Sequence, residues 1–424
     1  GRLSVDDLFD VVVDPLEADA FYRRLARARD IVGARFDWTR LPTNERVGRS
    51  RLWRLPDVSG RGADFRRPLP ANRRVRHRAT PLKTAHPVEG TGGILRVGLF
   101  GCGDIGVANA AAIAEAANAK LLACYDPLAA LAENVGRAHG AAVAPTAEAL
   151  LENDDVDAVV LAVPHHLHAP LGAQAAAAGK HLVVEKPLAH TLQAGVELVR
   201  AANHAGVVLS VCFPHRYHLE MGMARSLIRD GALGELAGVL LNFFMDKPPS
   251  YWAGGFSGRA HSDWRGSHDK AGGGVLIMNL CHYIDLIRYL TNVEAESIVA
   301  HTQVIEPAEV EDTCSLIVSY GNGAVGTLLG AAAMRGAAPA TELRLWGTDG
   351  QITVEPAPLV YTLRALDGIR PNRWQSFGGQ ASTNIRATYF SRLASAIEGG
   401  HPPDVSAEDA LAVQAFIEAA YRSS

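Results

Sequence analysis

One hexapeptide, Gly101-Cys102-Gly103-Asp104-Ile105-Gly106, constrains this chain more than any other feature. It follows an apolar run, Ile94 to Phe100, and precedes an alanine-rich stretch with helical spacing, so its glycines fall on a strand-to-helix turn. In such a turn the first glycine permits the tight bend, the second lets a diphosphate approach the backbone, and the third lets helix and strand pack closely. Helix N-terminal N–H groups then face the phosphates. A plain tight turn would use the same glycines, but Asp126, twenty residues past Gly106 at the end of the next strand-like run, adds a carboxylate for ribose hydroxyls. The pattern predicts dinucleotide binding through Gly101, Gly103, Asp104, Ile105, Gly106 and Asp126. A carboxylate at Asp126 repels a 2′-phosphate and favours NAD. NADP stays open should an arginine arrive from elsewhere, since none follows in Asp126-Pro127-Leu128.

The surrounding rhythm agrees. Strand-like runs at Ile94 to Phe100, Leu121 to Tyr125, Ala158 to Val163, His181 to Val184 and Val207 to Cys212 alternate with helical stretches around 104–117, 128–139, 168–178 and 191–205. That is the signature of an α/β doubly wound parallel sheet, a Rossmann domain over 91–214. Beyond it come longer strands with turn signals: 236–245, 296–304, the hairpin 313–329 around Gly321-Asn322-Gly323, and a second hairpin around Asp349-Gly350. Helices are expected near 219–230, 279–290 and 407–421. Residues 215–424 therefore read as an α+β domain with an open, mainly antiparallel sheet for substrate binding and oligomerisation.

Residues 1–90 differ in texture. They hold 19 Lys+Arg against 12 Asp+Glu, leaving 22 against 33 for the rest, and the boundary falls near the glycines at 90–93. Helical spacing spans Pro15 to Val32, whereas 56–87 is rich in Pro, Gly and Arg with little periodicity. The run Arg73-Arg74-Val75-Arg76-His77-Arg78 lacks any nucleic-acid-binding fold. It is expected to dock on the acidic remainder of the protein or to stay mobile, and no nucleic-acid partner is predicted. No run approaches the roughly 18 apolar residues of a membrane helix, and the five scattered cysteines suit neither a disulfide framework nor structural zinc. The expectation is a cytoplasmic protein with reduced thiols and no membrane partner.

Three further clusters carry chemistry: Pro164-His165-His166-Leu167-His168, then Glu185-Lys186-Pro187, then Gly272-Gly273-Gly274 followed eight residues on by His282-Tyr283-Ile284-Asp285. With the glycine turn and Trp264-Arg265, they make residues 94–422 resemble the glucose-fructose oxidoreductase, inositol dehydrogenase and rhizopine-catabolism (Gfo/Idh/MocA) family. The resemblance implies an NAD(P)-dependent oxidoreductase that moves a hydride between nicotinamide and a polyhydroxylated alcohol or carbonyl, as in a sugar, cyclitol or sugar conjugate. It implies that Lys186 lies beside the nicotinamide and the reacting carbon, and that His282 is the acid/base histidine. His165 then faces the nicotinamide ribose or substrate, with Pro164, His168 and Glu185 completing the cofactor side.

An ammonium at a strand's carboxyl edge can polarise a substrate oxygen, and an imidazole of ordinary pKa about 6.5 suits proton transfer. A histidine beside Tyr283 and Leu286 is also an ordinary core residue. Arg216, Trp264, Arg265 and Asn279 are candidates for the substrate rim, with ion pairing as the alternative for the arginines; Asp285 is placed to orient His282. The histidines at 165, 166 and 168 have no acidic or thiolate partners nearby, so no metal is expected. One departure stands out. Met278 occupies the position where the family commonly carries a carboxylate, which puts the usual relay in doubt and leaves two alternatives, reduction of an imine or other polar double bond, and a dinucleotide-binding sensor without turnover.

Overall fold

The computed structural model describes residues 93–305, 308–336, 338–378 and 384–424, together with two short strands, Val12–Val13 and Arg35–Phe36. By its contacts the chain divides into Gly1–Pro81 and Leu82–Ser424. The first unit contributes the two short strands, paired in parallel. The helix expected over 15–32 and the arginine run at 73–78 lie outside the described residues.

Within the second unit a six-stranded parallel sheet comprises β1 (Leu95–Phe100), β2 (Ala119–Tyr125), β3 (Ala142–Val143), β4 (Ala158–Leu161), β5 (His181–Glu185) and β6 (Leu209–Cys212). Its spatial order, β3-β2-β1-β4-β5-β6, is that of a dinucleotide-binding sheet. Strands β4, β5 and β6 are buried at every residue, as a parallel sheet with helices on both faces requires. The helices of this half are α1 (Asp104–Glu115), α2 (Ala129–His139), α3 (Ala147–Leu151), α4 (His165–Ala177) and α5 (Leu192–Ala205). Local chemistry sets their ends. Thr146 and Thr191 cap the starts of α3 and α5 with their hydroxyls, while Gly140 and Gly206 close α2 and α5 in the left-handed conformation. Strand β3 and helix α3 are too short to show a hydrophobic period.

The second half starts with α6 (Leu219–Arg229) and builds an eight-stranded sheet from β7 (Leu236–Phe244), β8 (Ala295–Gln303), β9 (Thr313–Tyr320), β10 (Val325–Ala331), β11 (Ala340–Gly347), β12 (Gly350–Glu355), β13 (Leu359–Thr362) and β14 (Gln375–Ser376). The order is β8-β9-β10-β7-β11-β12-β13-β14, antiparallel except for β10 against β7. Strand β9 alternates cleanly: Cys314, Leu316, Val318 and Tyr320 are buried, and Ser315, Ile317 and Ser319 are exposed. Between β7 and β8 lie α7 (Pro249–Gly254), a short turn Trp264–Gly266, α8 (His268–Ala271) and α9 (Cys281–Thr291), the last preceded by one π-helical turn, Leu276–Leu280.

Two helices end the chain, α10 (Ile385–Glu398) and α11 (Ala407–Ser423). Helix α11 packs against α9 and β8, but α10 crosses back to α1, and Tyr389, Phe390 and Leu393 join the core of the parallel sheet with Val97, Leu99 and Ile113. A linear cut at 214 therefore leaves the nucleotide half without part of its own core.

Candidate active site

The loops after β1, β2, β4 and β5 end along one edge of the parallel sheet, and each brings a residue singled out in the sequence. After β1 the three glycines have distinct physical duties. Gly101 sits at φ +87°, and a Cβ there would collide with the Ala162 carbonyl; a Cβ on Gly106 would collide with the Gly101 carbonyl. Around Gly103 no protein atom lies within 4 Å of the position a Cβ would take. Two glycines thus close the turn, and the middle one leaves open backbone where a diphosphate fits. No side chain caps the start of α1, so its first N–H groups remain available to an anion.

Asp126 binds this turn directly. Its Oδ2 accepts the Cys102 N–H at 2.8 Å and its Oδ1 accepts the Leu128 N–H at 2.8 Å, leaving a lone pair on each oxygen for ribose hydroxyls. Asp104 differs from expectation. Its carboxylate is taken up by the Ser257 hydroxyl and by the Ser257 N–H at 3.2 Å, so its side chain holds a loop from the second half against the head of α1. Only the Asp104 backbone is left for a phosphate. The Ile105 side chain is exposed beside it.

After β4, Pro164 occupies the N-cap of α4. His165 Nδ1–H donates to the Ala271 carbonyl at 2.8 Å, and its ring lies 4.6 Å from that of Trp264. The Arg265 guanidinium stacks 4.6 Å over Trp264, so the three side chains meet. Burial, the nearby His168 and the Lys186 and Arg265 charges hold His165 well below the ordinary imidazole pKa. His168 is fully buried, with Nδ1 2.9 Å from the Pro187 carbonyl and Nε2 3.0 Å from the Val163 carbonyl. It braces the β4 and β5 loops against each other and does not reach a cofactor. His166 makes no common site with its neighbours, and among the described residues no cluster of three metal-binding side chains exists.

After β5, Glu185 turns inward. Its Oε1 accepts Asn109 Nδ2 at 2.9 Å and an Arg386 guanidinium N–H at 2.5 Å, and Arg386 also donates to Asn109 Oδ1 at 2.8 Å. Burial alone would raise its carboxyl pKa, but Arg386, Asn109 and Lys186 outweigh that and hold it below the usual range. Glu185 thus clamps α10 to the sheet through Oε1, while its Oε2 accepts the N–H of neighbouring Lys186 at 3.3 Å. Lys186 projects the other way, its Nζ donating to the Met278 carbonyl at 2.6 Å.

That carbonyl belongs to the π turn, where the Cys281 N–H reaches the Leu276 carbonyl five residues back, a wide turn of the kind frequent at functional sites. Buried Glu311 pins its start, accepting the Gly274 and Leu276 N–H groups at 2.7 and 2.9 Å and the Tyr421 hydroxyl at 2.9 Å. The Met278 side chain is buried; Asn279 is half-buried and accepts Lys247 Nζ on its Oδ1 at 2.5 Å.

His282 stacks on His215, rings 4.7 Å apart and 7° from parallel, and the Nδ1 atoms of both are buried without a partner. Burial first, then His215, Lys186 and Arg386, push His282 well below its ordinary pKa. His215 is pushed down to about 4 by burial and by His218, Lys186 and Arg386. Both shifts favour the neutral imidazole, a form that can accept a hydrogen bond or a proton.

Two expectations are corrected outright. Arg216 is not on a substrate rim: it is buried, with Nε and one terminal nitrogen on Asp285 at 2.8 and 2.5 Å, and the other on Asp409 and the Asp404 carbonyl at 3.0 and 2.8 Å. Asp285 is consumed by that pair and does not orient His282. Three residues along a helix put His282 and Asp285 about 60° apart, and the Asp285 carboxylate goes to Arg216, which bridges it to Asp409 of α11. Sequence reasoning also missed Asn109, His215, Lys247, Tyr251, Glu311 and Arg386, none of which stands in a recognisable motif.

A parallel sheet of this order, with an open glycine turn, a ribose-side carboxylate and a lysine on its carboxyl edge, defines a nicotinamide-dependent oxidoreductase. Residues 95–213 match the oxidoreductase family with an NAD-binding Rossmann fold, and 221–353 match the GFO/IDH/MocA C-terminal domain. The 1,5-anhydro-D-fructose reductase of Ensifer adhaerens is 30% identical over 276 residues, spanning 62% of this chain and 76% of that protein. Inositol 2-dehydrogenase of Rhizobium meliloti is 27% identical over 337 residues, spanning 78% and 96%. The crystal structure of GenD2 from gentamicin A biosynthesis, in complex with NAD, superposes with a TM-score of 0.64 at 27% identity, covering 80% of this chain and 95% of that one. The chain belongs to the GFO/IDH/MocA oxidoreductase family and is an NAD(P)-dependent enzyme.

Proposed function

We propose that this enzyme interconverts an alcohol and a carbonyl on a polyhydroxylated substrate, a sugar, cyclitol or sugar conjugate, with NAD preferred over NADP. The observation that carries the reading is Lys186, held by the Met278 carbonyl at the carboxyl edge of β5, where ligands of open parallel sheets bind. Bound nicotinamide supplies the hydride chemistry. Lys186 steadies the substrate oxygen as charge develops on it, and Asp126 takes the ribose hydroxyls. Gly101, Gly103 and Gly106 shape the diphosphate turn, with Pro164, His165 and the Asp104 and Ile105 backbone around it. Trp264, Arg265, Asn279 and the neutral His282 line the substrate side. The names of the relatives, a reductase of an anhydro sugar and an inositol dehydrogenase, support the substrate class.

Burial of the Met278 side chain without a carboxylate in its place also favours reduction of an imine or other polar double bond. The test is an NADH and NADPH titration followed by turnover of myo-inositol, 1,5-anhydro-D-fructose and a cyclic imine. NADH should bind at least tenfold tighter than NADPH, and Asp126→Ala should narrow that ratio. Turnover of the imine alone would favour the second reading, and binding without any turnover would favour a sensor.

The protein is further read as a cytoplasmic homo-oligomer. Exposed Val299, Ile317 and Val325 lie on three adjoining strands, β8, β9 and β10, of the open sheet face, an apolar strip that a second copy would cover. Among the described residues no helix is long and apolar enough to cross a membrane.

A further inference from the structure

Lys247 is an anomaly on elementary grounds. It is 1% exposed, yet no carboxylate pairs with it among the described residues. Its ammonium has one hydrogen bond to a side-chain amide, Asn279, and otherwise lies over aromatic rings, 4.4 Å from the centre of Tyr251 and 5.4 Å from that of Trp252. A buried cation without a counter-charge is strongly disfavoured. Burial acts most strongly against its charge; the Tyr251 phenol is the group that supports it, while Lys186 and Arg265, themselves cations, oppose it. The one acid in contact is the Tyr251 phenol, which also sits under the Arg265 guanidinium at 5.3 Å.

These contacts place Tyr251 within the reaction centre. Lys186 and Lys247 grip adjacent residues of the same turn, Met278 and Asn279, so the two ammonium groups converge from the two halves of the protein. Tyr251 is half-buried, on the short helix α7, and Phe256 flanks it at 4.7 Å. Of the other groups nearby, Met278 has no acid, Glu185 is locked to Arg386, and His282 is stacked on His215 with its Nδ1 buried and unpartnered.

We propose that Tyr251 donates and accepts the substrate proton, and that Lys247 is a positioning residue that holds a positive charge beside the phenol. The proposal rests on the alcohol–carbonyl reading above. In the reducing direction the carbonyl carbon gains the hydride, the Tyr251 O–H bond breaks as the product O–H bond forms, and the phenolate takes a proton back from water. In the oxidising direction the phenolate removes the hydroxyl proton as the hydride leaves. Burial opposes the phenolate, but Lys247, Arg265 and Lys186 outweigh it and lower the Tyr251 pKa.

The deciding measurement needs no substrate: a spectrophotometric titration of tyrosinate in the full chain. One of the ten tyrosines should ionise ahead of the others. That early step should vanish in Tyr251→Phe, move to higher pH in Lys247→Met, and persist in Lys247→Arg. NADH binding by each variant checks that it has folded. With myo-inositol and NAD, Tyr251→Phe should then lower kcat by about a hundredfold or more with little change in KM, and remove the pH limb that Lys247→Met displaces. Absence of an early tyrosine, or an unchanged limb in Tyr251→Phe, overturns the assignment. Failure of the wild-type protein to turn over any polyol would count against the substrate class instead, and the titration alone would then decide the role of the pair.

Discussion

The two sides of the site are built by different means. On the nucleotide side the cradle is backbone, and the demands fall on glycines: two that tolerate no Cβ and one, Gly103, with open space around it. On the substrate side, side chains from remote segments meet. Lys186, Lys247, Tyr251, Arg265 and Asn279 come from the loop after β5, the segment after β7, α7, the 264–266 turn and the π turn. A site made of backbone is written in consecutive residues, whereas one made of side chains is written in the tertiary fold.

The contrast can be broken most forcefully at the ion pairs behind the substrate side. Arg216→Met leaves Asp285 charged and buried, and should destabilise the protein by about 3–5 kcal/mol in denaturant titrations while NADH affinity of the remaining folded fraction is unchanged. A surface-like loss below 1 kcal/mol would show that the network is solvated. Next in size, Lys186→Ala should lower turnover by roughly a hundredfold to a thousandfold and change NADH affinity far less. Equal losses in both would place the lysine on the cofactor.

The glycines sharpen the other side. Gly103→Ala meets no protein atom, so thermal stability should hold while dinucleotide affinity falls by about tenfold, the loss of one close backbone approach. Gly106→Ala should lower stability as well. The smallest effect is a pH slope. The folded protein keeps His215 and His282 neutral, so as pH falls below 6.5 the unfolded chain takes protons that the folded rings refuse. Stability should be full above pH 6.5, decline on acidification, and level off for His215 once pH passes below about 4. Melting curves of His215→Phe should show a shallower decline; an identical slope would mean that the folded ring takes up its proton as readily as the unfolded one.

What was legible in the sequence follows the same division. The strands β1, β2, β4, β5 and β6 stood out because parallel strands buried on both faces read as apolar runs, and Asp126 because its distance from the glycines is set by one helix and one strand. Hairpins announced themselves by Gly321-Asn322-Gly323 and Asp349-Gly350. Arg216 and Asp285 were misplaced because an arginine near a motif gives no sign of whether its partner is a ligand or a buried carboxylate, here one 69 residues away. Helix α10 was missed altogether. Its buried face, Ala387, Tyr389, Phe390, Leu393 and Ala394, is mixed with Arg386, Thr388 and Ser391, and its purpose lies in a strand far upstream.

That helix bears on how the protein is made. Glu185 and Arg386 are 201 residues apart, and the Tyr389 hydroxyl reaches Ser210 across 179. A chain emerging from the ribosome N-terminus first would have its parallel sheet synthesised long before the residues that neutralise Glu185 and roof Val97 and Leu99 exist. During that interval the nascent sheet would carry an unpaired buried carboxylate and an uncovered apolar face, the surfaces that chaperones bind. Assembly of the nucleotide half would therefore finish near the end of translation, and a nonsense mutation shortly before residue 385 would cost the enzyme its cofactor as surely as one in the glycine turn.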